Sequence, residues 1–159
     1  MDTTIQQEKA FWESHFNFNG ALDQVPISMK QINFKCVNIV DNDLQILVGR
    51  IKHIEELNLE STSISNAGIE ALTALQSIKT LRLKNNAALT NDCIPALNQL
   101  KEVEILEVDA THITIDGLLQ LSALKNLKQV RYSAGNQIPT VTQIAQLQTL
   151  HPACEWQIV

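Results

Sequence analysis

The sequence predicts an α/β repeat architecture, in which strand–turn–helix units pack side by side and form a parallel sheet. Leading apolar residues recur in steps of 25, 24, 25 and 24 residues, at Met29, Ile54, Ile78, Val103 and Leu127. Within one unit, as in "IEELNLESTSISNAGIEAL" at 54–72, the apolar spacing changes from that of a strand to that of a helix. Aromatic residues are only 4% of the chain, so aliphatic side chains supply the core.

Each unit, counted from its leading apolar residue, reads as a strand, a turn and a short helix. The strand has the pattern LxxLxL, and one apolar residue follows the turn, at Ile39, Ile64, Leu89 and Ile113. Stretches such as "GIEALTAL" and "GLLQLSAL" then have helical spacing. One strand and one helix cannot bury their own apolar faces, so each unit must pack against its neighbours.

Two segments, "STSISNAGIEAL" and "ATHITIDGLLQL", resemble the leucine-rich-repeat superfamily in its ribonuclease-inhibitor-like and cysteine-containing types. Thr62 and Thr111 stand where other repeats have Asn, and the resemblance implies that they tie down the turn after the strand. The third unit departs with an extra residue in "NNAALTND". The fifth has Tyr132 in place of a core Leu and Pro139 in the turn.

The resemblance covers about residues 29–150 and implies a right-handed leucine-rich-repeat solenoid of the α/β class, a short horseshoe with a parallel concave sheet and convex helices. We expect one domain: an N-terminal capping helix and linker at 1–28, about five repeats of 24–25 residues at 29–150, and a C-terminal capping segment at 151–159. The stretch "IQQEKAFWESHF" predicts the capping helix, with Ile5, Trp12 and Phe16 on one face. In "LHPACEWQIV", a proline stops the last helix and a strand with Trp156 closes the sheet edge.

Charge and composition narrow the classes of partner. A net charge of −5 favours neither nucleic acid nor an anionic membrane surface. We expect no membrane insertion, because no apolar run approaches the roughly 18 residues of a membrane helix and no signal sequence is recognisable. Three distant cysteines without a CxxC pair predict a reducing compartment, the cytoplasm. Two capped ends predict a monomer.

The residues between the core positions of the strands would face the concave side. The first row is Gln31, Glu56, Thr80, Ile105 and Gln129; the second is Asn33, Asn58, Arg82, Glu107 and Arg131; the third is Lys35, Glu60, Lys84, Asp109 and Ser133. Charges alternate in sign along the second and third rows. Together the three rows hold four positive and four negative residues, so their net charge is zero.

The alternating charges have two interpretations. They form a recognition surface that matches a partner, or they pair across strands and stabilise the sheet itself, which we favour for a balanced set. The two roles are compatible, and Ile105 is the best single contact candidate because it is apolar. The candidate protein-binding residues are Asn58, Glu60, Arg82, Lys84, Ile105, Glu107, Asp109 and Arg131.

The two rims of the sheet differ in charge. Acidic residues follow the strands, at Asp41, Asp43, Asp92 and Asp116, and basic residues collect where helices return to strands, at Arg50, Lys52, Lys79, Lys101, Lys125 and Lys128. The "DND" at 41–43 raises the alternative of a cation site. Helix capping is the better explanation, because Ser65, Thr90 and Thr114 are N-cap residue types at matching places.

Catalytic and metal-binding chemistry is not predicted. His15, His53, His112 and His151 fall in different parts of the repeat, and His151 with Cys154 is a lone pair of metal-ligand types. Cys93 occupies the slot of Gly68 and Gly117 near a helix N-terminus, where a reactive thiol is the alternative to a small packed residue. We expect no catalytic residue, no cofactor and no metal.

The resemblance therefore implies a non-enzymatic module that presents its concave sheet and adjoining turns to another protein. An alternative is a small assembly or stabilising factor that contacts a larger complex through its caps, including Trp12, or through its helical face. An enzyme or metal-binding role is the third hypothesis. Fold alone does not decide between them.

Overall fold

The computed structural model describes residues 3–133 and 138–159 and contains a six-stranded, all-parallel sheet with its strands in sequence order. The strands are β1 (Ser28–Asn33), β2 (His53–Asn58), β3 (Ser77–Arg82), β4 (Ile105–Glu107), β5 (Gln129–Tyr132) and β6 (Glu155–Ile158). The helices are α1 (Thr3–Phe16), α2 (Asp41–Arg50), α3 (Asn66–Leu72), α4 (Ile94–Leu97), α5 (Ile115–Leu118) and α6 (Val141–Leu150). None of these helices has the length and apolar content needed to cross a bilayer.

Residues one sequence period apart are partners across neighbouring strands. Ile54 pairs with Ile78 and Leu57 with Leu81, so the core positions of each strand lie beside those of the next. The LxxLxL residues of β2 and β3 are all buried, in one cluster with the apolar residues of the helices. This register is the one expected from the 24- to 25-residue period of the sequence. The predicted α/β class and parallel sheet are confirmed.

A left-handed residue ends each of the first four strand segments. Cys36, Ser61, Asn85 and Ala110 have φ values of 60, 56, 59 and 54°, and each lies two positions after the last core residue of its strand. Such a conformation costs non-glycine residues about 1–2 kcal/mol, so the turn must be held by other contacts. As predicted, Thr62 Oγ1 donates to the Leu59 carbonyl at 3.0 Å and Thr111 Oγ1 to the Val108 carbonyl at 2.7 Å.

Asn86 fills the same position in the third unit, for which the sequence predicted only an extra residue. Its side chain is buried, and Nδ2 donates to the carbonyls of Leu59, Leu83 and Lys84 at 2.8, 2.9 and 3.2 Å. Its Oδ1 accepts from the N–H of Thr62 at 3.2 Å. One side chain therefore braces two neighbouring turns.

The helical segments begin at side chains that also bond between units. Ser65, Thr90 and Thr114 are N-cap residues that accept backbone N–H groups of their own segments, as predicted. The side chain of the residue after each cap position hydrogen-bonds to the N-cap residue of the following unit. It contacts both the backbone N–H and the hydroxyl of that cap at 2.6–3.0 Å, in the pairs Asp41–Ser65, Asn66–Thr90 and Asn91–Thr114. This ladder fixes the spacing of successive units at the helix starts.

Gly68 and Gly117 leave room for this ladder. A Cβ at Gly117 would lie 2.2 Å from Asn91 Oδ1, and one at Gly68 would lie 2.5 Å from Asp41 Oδ1. Both distances are well inside van der Waals contact, so these positions need glycine for the close approach of the preceding unit.

The N-terminal helix covers the first unit through aromatic rings. Phe11 and Trp12 are buried, and the rings of Phe11 and Phe16 contact Phe34 after β1, with centroids 6.4 and 5.8 Å apart. Ile5, which the sequence places on the same helical face as Trp12 and Phe16, is 48% exposed. The register of the helix buries Phe11 in its place.

The last strand lies at the opposite edge of the sheet. β6 pairs with β5, with Trp156 opposite Val130, and it follows α6 after His151 and Pro152, as predicted. His151 is buried and its Nε2 lies 2.7 Å from the Leu121 carbonyl. Tyr132 is buried at the core position of the fifth unit. Residues 134–137 of that unit lie outside the described residues.

Candidate protein-binding surface

The predicted rows lie on the face of the sheet opposite the apolar core, which we call the outer face. Strand register places the first row in the order Gln31, Glu56, Thr80, Ile105, Gln129 and Glu155, and the second in the order Asn33, Asn58, Arg82, Glu107, Arg131 and Gln157. Backbone hydrogen bonds between neighbouring turns reach Glu60, Lys84 and Asp109 of the third row. β6 thus extends the first two rows by residues that the sequence analysis did not include.

A fourth row of charged residues was missed. It comprises the residues that directly follow the five leading apolar positions, Lys30, Glu55, Lys79, Glu104 and Lys128. Lys128 Nζ contacts Glu104 Oε2 at 2.5 Å, and this hydrogen bond lowers the pKa of the Glu104 carboxyl. The alternation of sign at one fixed position of the repeat was a signal available in the sequence.

Within the four rows, the residues that each strand segment contributes carry charges of a single sign. The positive strands are β1 (Lys30, Lys35), β3 (Lys79, Arg82, Lys84) and β5 (Lys128, Arg131). The negative strands are β2 (Glu55, Glu56, Glu60), β4 (Glu104, Glu107, Asp109) and β6 (Glu155). The outer face therefore carries seven charges of each sign, and the net charge of −5 lies elsewhere on the chain.

Ion pairs form between neighbouring strands, as the pairing interpretation predicts. Arg82 bridges Glu107 on one side and Glu56 on the other, with 3.0 Å between Nε and Glu56 Oε1. Lys35 Nζ lies 3.0 Å from Glu60 Oε2, and that contact raises the pKa of the lysine. These contacts join partly exposed side chains, where water screens the charges, so each pair contributes little to stability.

The expected pairing of Arg131 with Glu107 was wrong. Arg131 Nε lies 3.6 Å from Asp109 Oδ2, in the third row, and Lys84 Nζ lies 3.6 Å from the same oxygen. Glu107 is engaged by Arg82, so Arg131 reaches diagonally to the next free carboxylate.

Asp109 and Arg131 have unused hydrogen-bonding capacity. The Asp109 side chain is only 5% exposed, and neither its Oδ1 nor Arg131 Nε has a hydrogen-bond partner among the residues that the structure describes. A buried carboxylate without hydrogen bonds is costly even beside cations. Both atoms are covered by neighbouring groups, so no incoming group could reach them without a side-chain movement.

Two further candidates have different roles. Asn58 Oδ1 accepts the Glu60 N–H at 3.0 Å, and Asn33 does the same for Lys35 at 3.1 Å, so the Asn58 amide braces its own strand end. Ile105 is half-buried between Thr80 and Gln129. These three adjoining residues make an uncharged strip across the centre of the face.

The acidic rim serves the helix starts. Asp41 binds Ser65 through both carboxylate oxygens, and Asp43 Oδ2 accepts the Val40 N–H at 2.9 Å. The contacts confirm the capping interpretation of "DND" and occupy oxygens that a cation would need. Within residues 3–133 and 138–159, no three His, Cys, Asp or Glu side chains lie together as a metal site.

The cysteine and histidine side chains are engaged separately. Burial raises the pKa of the Cys93 thiol to about 12, which opposes the reactive-thiol alternative and supports its reading as a small packed residue. His53 Nδ1 lies 2.9 Å from Ser77 Oγ, and His112 Nδ1 lies 2.5 Å from the Ala87 carbonyl. His15 contacts aromatic rings of the N-terminal helix.

The fold and surface define an α/β protein with one uncovered face on a parallel sheet. A scan against protein-family models found no match, and a search of curated proteins found no significant relative.

Proposed function

We propose that the chain is a non-enzymatic protein-interaction module whose outer face, with the adjoining turns, binds another protein. The proposed architecture is a right-handed solenoid of the leucine-rich-repeat type, with the outer face concave. Sequential strand order, the paired 24- to 25-residue periods and the repeated left-handed turn residues support it.

The observation that carries the proposal is that a parallel sheet leaves one face uncovered. Parallel sheets are usually buried on both faces, whereas here Thr80, Arg82 and Glu107 remain half-exposed beside fully buried neighbours. No helix of the described residues covers these side chains. A partner protein that packs against this face would cover them.

The charge arrangement indicates what kind of partner fits. Seven positive and seven negative groups offset one another, and several are already paired. A strongly charged ligand would gain little from such a surface. We therefore expect a partner protein whose contact surface is close to neutral and places an apolar side chain against Ile105.

The test is capture of a partner from source-organism lysate, identification by mass spectrometry, and titration of the purified pair by calorimetry. The variant Thr80→Arg with Ile105→Arg adds two charges to the uncharged strip and replaces none of the charged residues. It should weaken binding at least about tenfold, equivalent to about 1.4 kcal/mol.

A matched control adds two arginines on the other side of the molecule, at the exposed positions Gln45 and Ala74. This control should bind as the wild type does. If both variants bound the partner with equal affinity, the outer face would not be the binding surface. If the control variant bound more weakly than the outer-face variant, the contact would lie on the helical side.

An assembly or stabilising factor that uses its helical side is the second candidate. A groove of about 690 Å³ lies along α6, lined by Leu119, Lys125, Thr142, Ala145, Gln146, Thr149 and Leu150. Trp12 is not part of this candidate contact, because it is 1% exposed and serves the core. Ala145→Arg would fill the groove and abolish such an interaction while leaving outer-face binding intact.

A further inference from the structure

We propose that the β1 edge of one molecule pairs with the β6 edge of a second copy, so that the protein associates head to tail through its own sheet. The inference does not depend on what binds the outer face. It rests on the open backbone of the two edge strands, on their opposite charge, and on the location of exposed apolar residues.

Both edge strands have backbone groups available for pairing. In parallel pairing, alternate residues direct N–H and C=O to one side. Glu155 N and Val159 N bond to β5, which leaves the groups of Trp156 and Ile158 directed outward. On β1, Phe34 N and Cys36 N bond toward β2, which leaves those of Gln31 and Asn33 directed outward.

Charge signs favour joining unlike edges. Every junction inside the sheet places a positive strand beside a negative one, and the six strands end with positive β1 and negative β6. A second copy would continue the alternation, with Glu155 opposite Gln31 of that copy and one residue away from its Lys30. Pairing β1 with β1, or β6 with β6, would place like charges on neighbouring strands, which is unfavourable.

Exposed large apolar residues lie only in the two terminal parts of the described chain. Ile5, Ile27 and Val40 belong to the β1 end, and Ile138, Val141, Ile158 and Val159 to the β6 end. Ile138 and Val141 are 86% and 85% exposed, whereas β2 to β5 and the segments between them have no such residue. Contact between the two ends would cover side chains that a monomer leaves in water.

The capping helix is compatible with this contact. The sequence predicts a monomer because both ends are capped, and α1 does bury Phe11 and Trp12 against the core at the β1 end. Yet α1 makes no backbone hydrogen bond to β1, and Gln31 and Asn33 are exposed. The helix protects the apolar layer and leaves the strand edge free, which is the feature that permits edge-to-edge association.

The association has a defined geometry and salt response. Two different surfaces meet, so each added molecule again exposes one β1 edge and one β6 edge, and growth is open-ended unless the rotation closes a ring. Because the outer strands contribute opposite charges in exposed positions, added salt should weaken the contact.

Sedimentation analysis over a range of concentrations tests the proposal. The weight-average mass of the wild type should at least double by about 1 mM and fall back on addition of salt. Ile158→Pro removes an outward N–H that β5 does not use and should keep the protein monomeric, whereas the control Ile158→Val should associate. Circular dichroism verifies that both variants are folded.

A charge exchange supplies the second test. Glu155→Lys gives two positive edges and Lys30→Glu weakens the positive edge, so each variant alone should associate less than the wild type, and an equimolar mixture should recover. A wild type that stays monomeric at about 1 mM, or an Ile158→Pro variant that associates normally, overturns the proposal. The proposal would also be overturned if the Thr80→Arg with Ile105→Arg variant failed to associate while Ile158→Pro still associated. That result would place the self-association contact on the outer face.

Discussion

Replacing Asn86 with Ala should destabilise the fold by about 3 kcal/mol, because two backbone groups lose the only partner that the described residues give them. The Leu83 carbonyl accepts from Nδ2 at 2.9 Å, and the Thr62 N–H donates to Oδ1 at 3.2 Å. The two other carbonyls that Asn86 reaches each keep another donor. Two unpaired groups at about 1–3 kcal/mol each give about 2–6 kcal/mol, and partial water access at Thr62 favours the lower half.

Urea unfolding followed by far-UV circular dichroism measures this loss. Asn126→Ala is a matched control, since it deletes the same carboxamide from an exposed position with a single bond to the Lys101 carbonyl. The control should change the free energy of unfolding by less than about 0.5 kcal/mol. If Asn86→Ala lost no more than the control, the buried amide would not hold the two turns together, and the account of the left-handed turn residues would fail with it.

Three further outcomes are expected. Gly117→Ala should destabilise the wild type, because its Cβ would lie 2.2 Å from Asn91 Oδ1, and thermal melts should show a much smaller cost in an Asn91→Ala background. Ala110→Gly should stabilise by up to about 1 kcal/mol by relieving a φ of 54°, whereas Ala67→Gly inside α3 should destabilise by about 0.5–1 kcal/mol; equal signs would contradict the backbone argument. Burial lowers the pKa of His151, so the unfolded chain takes up its proton first, and the free energy of unfolding should fall as the pH drops below about 6.5. His151→Gln should flatten that dependence, and an unchanged slope in urea titrations would assign it to other groups.

Strand register was predictable because one physical requirement repeats at every unit. Leu57 and Leu81 must both enter the same apolar layer, so a period of 24 residues becomes a pairing partner across strands. The N-caps at Ser65 and Thr114 were predictable for a similar reason, since a helix start needs a side-chain acceptor whatever surrounds it. Most of the fold could therefore be predicted from requirements that are local and that recur in every unit.

Pairing choices between long side chains were not predictable in the same way. Arg131 can reach either Glu107 or Asp109, and its choice depends on Arg82 having already engaged Glu107. The burial of Phe11 instead of Ile5 likewise depends on how α1 meets Phe34, a contact between parts of the chain that share no repeat. Such features are set by competition among several partners, which spacing alone does not encode.

The single charge sign of each strand connects the two proposals. Internal strands find opposite charge on both sides, which leaves the outer face neutral and gives its uncharged centre at Ile105 the larger part in recognising a partner. The edge strands have a neighbouring strand on one side only, so β1 and β6 present charges of opposite sign at opposite edges of the sheet. Alternating charge signs thus pair the inner strands and leave the two edges of the sheet with opposite charge. Measuring partner binding and self-association on the same variants would show whether the outer face and the edges act independently.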